Sequence, residues 1–136
     1  MTQKEREGMF RICVDQGSGG RVYSCRIMEP FAFADLGDLL LKLERILEAQ
    51  DYPQAAQIIR TFREGEKRPE YPGLPASGMS WERVQEAQGV RMTFDLLILS
   101  RFSATWQGYV QWSDGSRTDF KNDLSFLLAV AEKLGL

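Results

Sequence analysis

The pattern of hydrophobic and polar positions along this chain occurs twice. Each copy has three short segments rich in alternating apolar residues, followed by a stretch in which leucine recurs every three or four positions. The first copy covers residues 10–14, 21–27, 31–33 and 36–47. The second covers residues 94–99, 105–112, 117–120 and 124–134. Alternation is typical of a strand and a spacing of three and four is typical of a helix, so each copy predicts a βββα unit.

The two copies are related by a nearly constant offset. Phe10 matches Phe94 at an offset of 84, whereas Leu36 matches Leu124 at an offset of 88. An insertion of four residues in the second copy reconciles them. The repeat predicts an α+β fold, in which the two pseudo-duplicated units form one antiparallel sheet of about six strands. The two long helices are expected side by side on one face of that sheet.

The length of 136 residues predicts a single domain, 1–136, because a chain of this size buries enough surface for one core. Its parts are a first unit over 9–50, an insertion over 51–90 and a second unit over 91–136. Within the insertion, the pattern predicts a helix over 55–62 that ends near Glu64. A loop rich in proline and glycine is expected over 65–78, and one or two helical turns over 80–88, closed by Gly89.

Residues 94–99 differ from the other predicted strands because they are almost continuously apolar. Only Asp95 interrupts the run from Phe94 to Leu99. A continuously apolar sequence is typical of a strand that is buried on both faces. The cover on the second face is expected to be either the helices of the insertion or the same surface of a second subunit, and the sequence does not choose between them.

Composition narrows the range of partners. The 17 basic and 19 acidic residues give a net charge of −2, which predicts no strong attraction to nucleic acid or to anionic lipid. The first eight residues include four charged side chains and no apolar core, and no apolar run reaches the length of a membrane helix. We therefore expect a cytoplasmic protein without membrane contact. Cys13 and Cys25 can face each other across the first predicted hairpin, but small core residues are favoured over a disulfide in a reducing compartment.

The second copy also carries a motif. Its stretch Thr-Trp-Gln-Gly over 105–108, the second tryptophan at Trp112, and Phe120 before a leucine-rich helix resemble a group of small uncharacterised proteins of anaerobic Gram-positive bacteria. The resemblance covers mainly residues 91–136, with a fainter echo over 33–62. It implies membership of that group and implies no reaction, because the group has no known activity.

Enzyme chemistry is constrained by the absence of histidine from the whole chain. This excludes serine or cysteine nucleophiles activated by histidine and most zinc and iron sites, and two cysteines are too few for a structural zinc site. We therefore expect no catalytic residue, no metal and no cofactor. Three carboxylate pairs remain, and each lies at a turn or a helix start, where capping is favoured over catalysis: Asp35 with Asp38, Asp114 with Asp119, and Asp119 with Asp123.

The aromatic residues of the second copy are the candidate binding or interface residues, together with one arginine: Arg101, Trp106, Tyr109 and Trp112. We favour a non-catalytic interaction module of unknown partner that associates with itself, in which these side chains are core or interface. The alternative is a sheet face that stacks single-stranded nucleic acid or another planar ligand, with arginines supplying charge. A small carboxylate-dependent enzyme ranks third.

Overall fold

The computed structural model describes residues 2–53, 78–102 and 105–136. It is an α+β fold with one six-stranded antiparallel sheet and helices, as the sequence predicts. The described helices are α1 (Gln3–Gly8), α2 (Leu36–Gln50), α3 (Trp81–Glu86) and α4 (Asp123–Leu134). The described strands are β1 (Phe10–Gln16), β2 (Gly19–Tyr23), β3 (Phe31–Phe33), β4 (Met92–Phe102), β5 (Thr105–Trp112) and β6 (Arg117–Phe120).

The strand order is symmetric about the central pair. The sheet runs β3-β2-β1-β4-β5-β6, so each half contributes a three-strand meander, and β1 pairs with β4 at the junction. Arg11 lies opposite Asp95 in this pairing, with Phe10 opposite Leu96 and Ile12 opposite Phe94. Residues that match at the offset of 84, such as Phe10 and Phe94, therefore lie one position from the Arg11–Asp95 pair, on opposite sides of it. A duplication as the origin of the two units stays a prediction.

The helices correspond at an offset of 87, not the 88 expected from the leucines. Asp35 caps α2 and Asn122 caps α4, and each accepts a hydrogen bond from the backbone three residues later. Because the cap fixes where a helix begins, it also fixes which positions face the sheet. The fully packed positions then match at 87: Leu39, Leu43 and Leu47 in α2 with Phe126, Val130 and Leu134 in α4.

The main core lies between these two helices and one face of the sheet. Both helices contribute to the same cluster of buried side chains, together with residues from all six strands. The Phe126 ring of α4 is central to it, since its centroid lies 5.5 Å from that of Phe120, 6.2 Å from Trp106 and 6.4 Å from Phe94. Both helices therefore pack on one face of the sheet.

A second cluster covers part of the opposite face. Leu97 of β4 packs there with buried side chains from β5, from the segment before β1, and from α3 and its approach: Tyr109, Met9, Val84 and Met79. The cover of β4 is thus provided within the chain, by α3 of the insertion and by α1, a helix that the sequence analysis did not predict. The cover is incomplete at the end of the strand, where Leu99 is 57% exposed.

Five strand boundaries differ from those expected, and the two largest differences are at the ends of β2 and β4. β2 ends at Tyr23, not at residue 27, because the Ser24 hydroxyl donates to the Met9 carbonyl at 2.6 Å and accepts from the Arg26 backbone at 3.1 Å. These bonds replace the strand ladder with a turn. β4 continues to Phe102, three residues beyond the expected end, with an irregularity in pairing between Ile98 and Ser100.

The remaining local predictions divide into those within and those outside the described residues. The helical turns expected over 80–88 are α3, which begins after the N-cap Ser80 and ends at the C-cap Ala87, not at Gly89. The helix expected over 55–62 lies outside the described residues, as does the loop expected over 65–78 apart from Gly78. Cys13 and Cys25 are free thiols, and Cys13 lies opposite Arg21, not Cys25. No helix in the described ranges is long and apolar enough to cross a membrane.

Candidate functional site

The structure separates the four candidate residues onto two faces of the sheet. Arg101, Trp106 and Trp112 lie on the face that α2 and α4 cover, where Arg101 is paired with Trp106 across β4 and β5. Tyr109 lies on the opposite face, in the second cluster. The four side chains therefore do not form one surface.

Both candidate tryptophans are buried within the chain. Trp106 is 0% exposed and its indole N–H donates to the Glu44 carboxylate of α2 at 2.5 Å. Trp112 is 6% exposed, its ring centroid lies 5.3 Å from that of Phe94, and its N–H donates to the Thr118 hydroxyl at 2.9 Å. A ring stacks on a base only when its face is open, so neither indole offers a stacking surface in this structure.

Tyr109 joins the second face of the sheet to α1. Its hydroxyl donates to the Glu5 carboxylate at 2.7 Å, and the Arg117 guanidinium lies 3.7 Å from its ring centroid. Burial, together with the hydrogen bond to the negatively charged Glu5, raises the pKa of Tyr109 to about 12. The phenol is therefore a neutral donor at physiological pH, and it holds α1 against β5.

Arg101 binds the end of α2. The side chain is buried, and its guanidinium pairs with Glu48 at 2.9 Å and Asp51 at 3.1 Å while donating to the Pro53 carbonyl at 2.9 Å. Cations are favoured beside the C-terminus of a helix, where unpaired carbonyls leave a partial negative charge. Arg101 thus has a structural partner for each part of its guanidinium.

A second buried arginine, Arg26, binds the same end of α2 without a carboxylate. It is 0% exposed and donates to the Gln50 side chain at 2.9 Å, to the Gly8 carbonyl and to the Tyr52 carbonyl. None of the carboxylates in the described ranges forms an ion pair with it. Burial lowers the pKa of Arg26 to about 10.

The carboxylates considered for catalysis have local partners. Asp35 is the N-cap of α2, as predicted, and Asp38 accepts from the Ala34 backbone at 2.9 Å and pairs with Lys42 at 3.0 Å. Asp114 accepts from Ser116 within the β5–β6 turn. Within residues 2–53, 78–102 and 105–136, no three His, Cys, Asp or Glu side chains are placed to hold a metal ion.

Three exposed leucines on the outer sides of α2 and α4 form a surface that the sequence analysis did not single out. We call it the leucine face, defined by Leu41 of α2 with Leu124 and Leu128 of α4, each 62% exposed. Leu41 and Leu128 occupy equivalent positions at the offset of 87. The available signal was Leu41 itself, a leucine that falls outside the three-and-four spacing of the buried positions.

A cleft of about 430 Å³ opens beside α1, which we call the α1 cleft. Its lining comes from α1 and its cap, from the segment after α2, and from β4: Thr2, Lys4, Glu5, Tyr52, Pro53, Leu97, Ile98 and Leu99. No pattern in the sequence indicates this cleft, because α1 was not expected to pack on the sheet.

No family model, no curated protein and no solved structure matches this chain. The resemblance to the bacterial group with the Thr-Trp-Gln-Gly motif therefore stays a prediction. The contacts described above are the basis for a proposal about function.

Proposed function

We propose that this protein is a non-catalytic interaction module that associates with a second copy of itself through the leucine face. The observation that carries the proposal is the 62% exposure of three leucines on the outer sides of α2 and α4. Long helices of a globular protein normally present polar residues there. Large apolar side chains that are exposed on both helices are candidates for a protein contact, because a contact would remove them from water.

The proposed contact between two copies lies on the helices and not on the sheet. A second subunit was one of the two covers expected for β4, but Leu97 packs with Met9 and with Val84 of α3 in one buried cluster, and α1 contacts β4. The buried tryptophans support the same choice, because a stacking platform for nucleic acid requires open rings. Self-association through the helices uses leucines that are exposed among the described residues.

The charges beside the leucines favour a second copy as the partner. Arg45 follows Leu41 by one helical turn, and Glu132 follows Leu128 by one turn, so both charges border the leucine face and both are exposed. When α2 of one copy lies against α4 of the other, Leu41 of the first copy packs against Leu124 and Leu128 of the second. Arg45 of the first copy then lies in the same contact as Glu132 of the second, which has the opposite charge. A two-fold dimer repeats this pairing twice, since its interface uses the same surface on both copies.

A charge-reversal experiment tests the proposal. Leu41→Glu with Leu128→Glu places four like charges in the dimer contact, and we expect a monomer by light scattering. Met28→Glu is the matched control, because Met28 is 63% exposed and lies outside the helices. We also expect Arg45→Glu to weaken association and Glu132→Arg, added to it, to restore it. Association that survives both the leucine substitutions and the reversal of Arg45 would refute the leucine face as the contact.

A further inference from the structure

The α1 cleft combines an apolar wall with two polar groups that bind no other residue in the described part of the chain. Leu99 is 57% exposed beside it, and Pro53 and Tyr52 complete the apolar part of the lining. Its volume of about 430 Å³ lies within the range of small-molecule sites, which is roughly 300–1,000 Å³. The cleft is therefore large enough for a small ligand with an apolar body.

The acidic group in the cleft is already occupied. One oxygen of the Glu5 carboxylate accepts from the backbone and hydroxyl of Thr2, at 3.3 and 3.0 Å. The other accepts from the Tyr109 hydroxyl at 2.7 Å. These donors hold the pKa of Glu5 below its usual value. Glu5 is thus a structural acceptor that links α1 to β5.

The donors in the cleft remain available. The Lys4 ammonium and the Tyr52 hydroxyl have no hydrogen bond or ion pair with any other residue in the part of the chain that the structure describes. Both groups donate, and a lysine donates only as a cation. A ligand that satisfies them must offer acceptor oxygens.

A buried positive charge lies behind the same wall. The Arg26 guanidinium carbon is 5.2 Å from the centroid of the Tyr52 ring, and its hydrogen bonds are to neutral acceptors only. Buried charges are normally paired, because desolvation of an isolated ion is costly. An anion bound at the Tyr52 hydroxyl is attracted to this charge.

We propose that the α1 cleft binds a small amphipathic carboxylate, with its aliphatic chain against Leu99 and Pro53 and its carboxylate on Lys4 and Tyr52. The ligand class follows from the apolar contacts and the two donors of the lining, and from the buried Arg26 guanidinium beside the Tyr52 ring. The inference goes beyond self-association and does not depend on it, because the cleft and the leucine face are built from different residues.

The test is a titration of the full chain with sodium octanoate, followed by amide chemical shifts in NMR. Neutral 1-octanol is the matched probe, since it has the same chain without the charge. We expect octanoate to shift amides of α1, Tyr52 and β4, and to bind at least about tenfold more tightly than octanol. Equal affinity for the two probes, no octanoate binding, or shifts confined to residues away from the cleft would overturn the proposal.

Variants separate the carboxylate contact from a general apolar effect. We expect Lys4→Gln and Tyr52→Phe each to weaken octanoate binding by about fivefold or more and to leave octanol binding unchanged. Lys42→Gln is the control. This substitution also removes one lysine charge, but the Lys42 ammonium lies outside the cleft, at the Ala32 carbonyl and the Asp38 carboxylate. A control variant that weakens octanoate as strongly as Lys4→Gln would show that the effect is general electrostatics and not a site.

Discussion

At the scale of single residues, Trp112 joins the strand that carries it to both neighbouring strands. Its ring packs on Phe94 of β4 and its N–H binds Thr118 of β6. We expect Trp112→Ala to lower the free energy of unfolding by about 3 to 5 kcal/mol, the usual effect of deleting a large buried aromatic side chain. Urea denaturation measures this change. Trp81→Ala is the comparison, because Trp81 is only half-buried and its loss should cost less.

A different result for Trp112→Ala would support the platform hypothesis. Unfolding free energy within about 1 kcal/mol of the parent, together with loss of binding to single-stranded oligonucleotides at low salt, is the pattern expected of a stacking ring. The burial of Trp112 argues against that pattern.

The buried thiol of Cys13 makes the free energy of unfolding depend on pH in the alkaline range. Cys13 is 0% exposed, and burial raises the pKa of its thiol from 9.0 to about 11. In the unfolded chain the thiol loses its proton near its ordinary pKa, so the unfolded state gains stability as the pH rises above 9. This part of the stability is fully present below pH 9 and is lost as the pH rises toward 11.

We therefore expect the melting temperature of Cys13→Ala to fall less steeply between pH 9 and 11 than that of the parent. Cys25→Ala is the comparison, because burial raises the pKa of this half-buried thiol as well and its removal should change the slope less. Equal slopes for the parent and Cys13→Ala would show that another group, such as Tyr109, accounts for the alkaline loss.

The sequence predicted on which face of the sheet a side chain lies better than it predicted which residue that side chain contacts. Alternation placed Trp106 and Trp112 together on one face of a strand, and the structure agrees. The hydrogen bond from Trp106 to Glu44 joins residues 62 positions apart, and no local pattern encodes such a distance. For the same reason Arg26 and Arg101 were not expected to meet at the end of α2.

At the scale of elements, two glycines allow strands to approach each other closely. A Cβ on Gly108 would lie 2.0 Å from the Leu97 carbonyl oxygen, and one on Gly20 would lie 1.8 Å from that of Cys13. The two contacts correspond in the two halves of the sheet. The gap beside Gly108 is thus filled by the backbone of β4, one of the two possibilities that a strand glycine indicates.

We expect Gly108→Ala to destabilise the protein by about 3 kcal/mol, because the strands must separate to admit the methyl group. Gly37→Ala is the matched control within α2, where the nearest atom to a new Cβ is 3.4 Å away. That change should be neutral or stabilising by up to about 1 kcal/mol, since alanine favours helix. Similar thermal denaturation curves for the two variants would show that β4 and β5 adjust without strain.

The ends of helices and strands were predictable where the neighbouring residues favour a turn or a helix cap. β5 begins and ends at the residues expected, because alternation is strict and Asp114–Gly115 forms the following turn, with Gly115 at φ 91°. α1 was missed because its residues are mostly charged, and its packing against β4 is a tertiary contact. The offset of the helices was misjudged because leucine occupies exposed positions of α4 as well as buried ones.

At the scale of the whole molecule, the two halves share one core. β1 pairs with β4, and side chains from α2 and α4 enter the same cluster. We expect a fragment of residues 91–136 to remain unfolded, since it leaves one side of β4 unpaired and Trp106 without Glu44. Circular dichroism during heating tests this. A cooperative thermal transition of the isolated fragment would contradict it.

The central claim is self-association through the leucine face, and the molar mass of the unmodified chain in solution tests it most directly. Multi-angle light scattering over a range of protein concentrations is the measurement. We expect the mass to approach about 31 kDa, twice the 15.5 kDa of the chain, as concentration rises. A mass that stays at 15.5 kDa up to high concentration would contradict the claim.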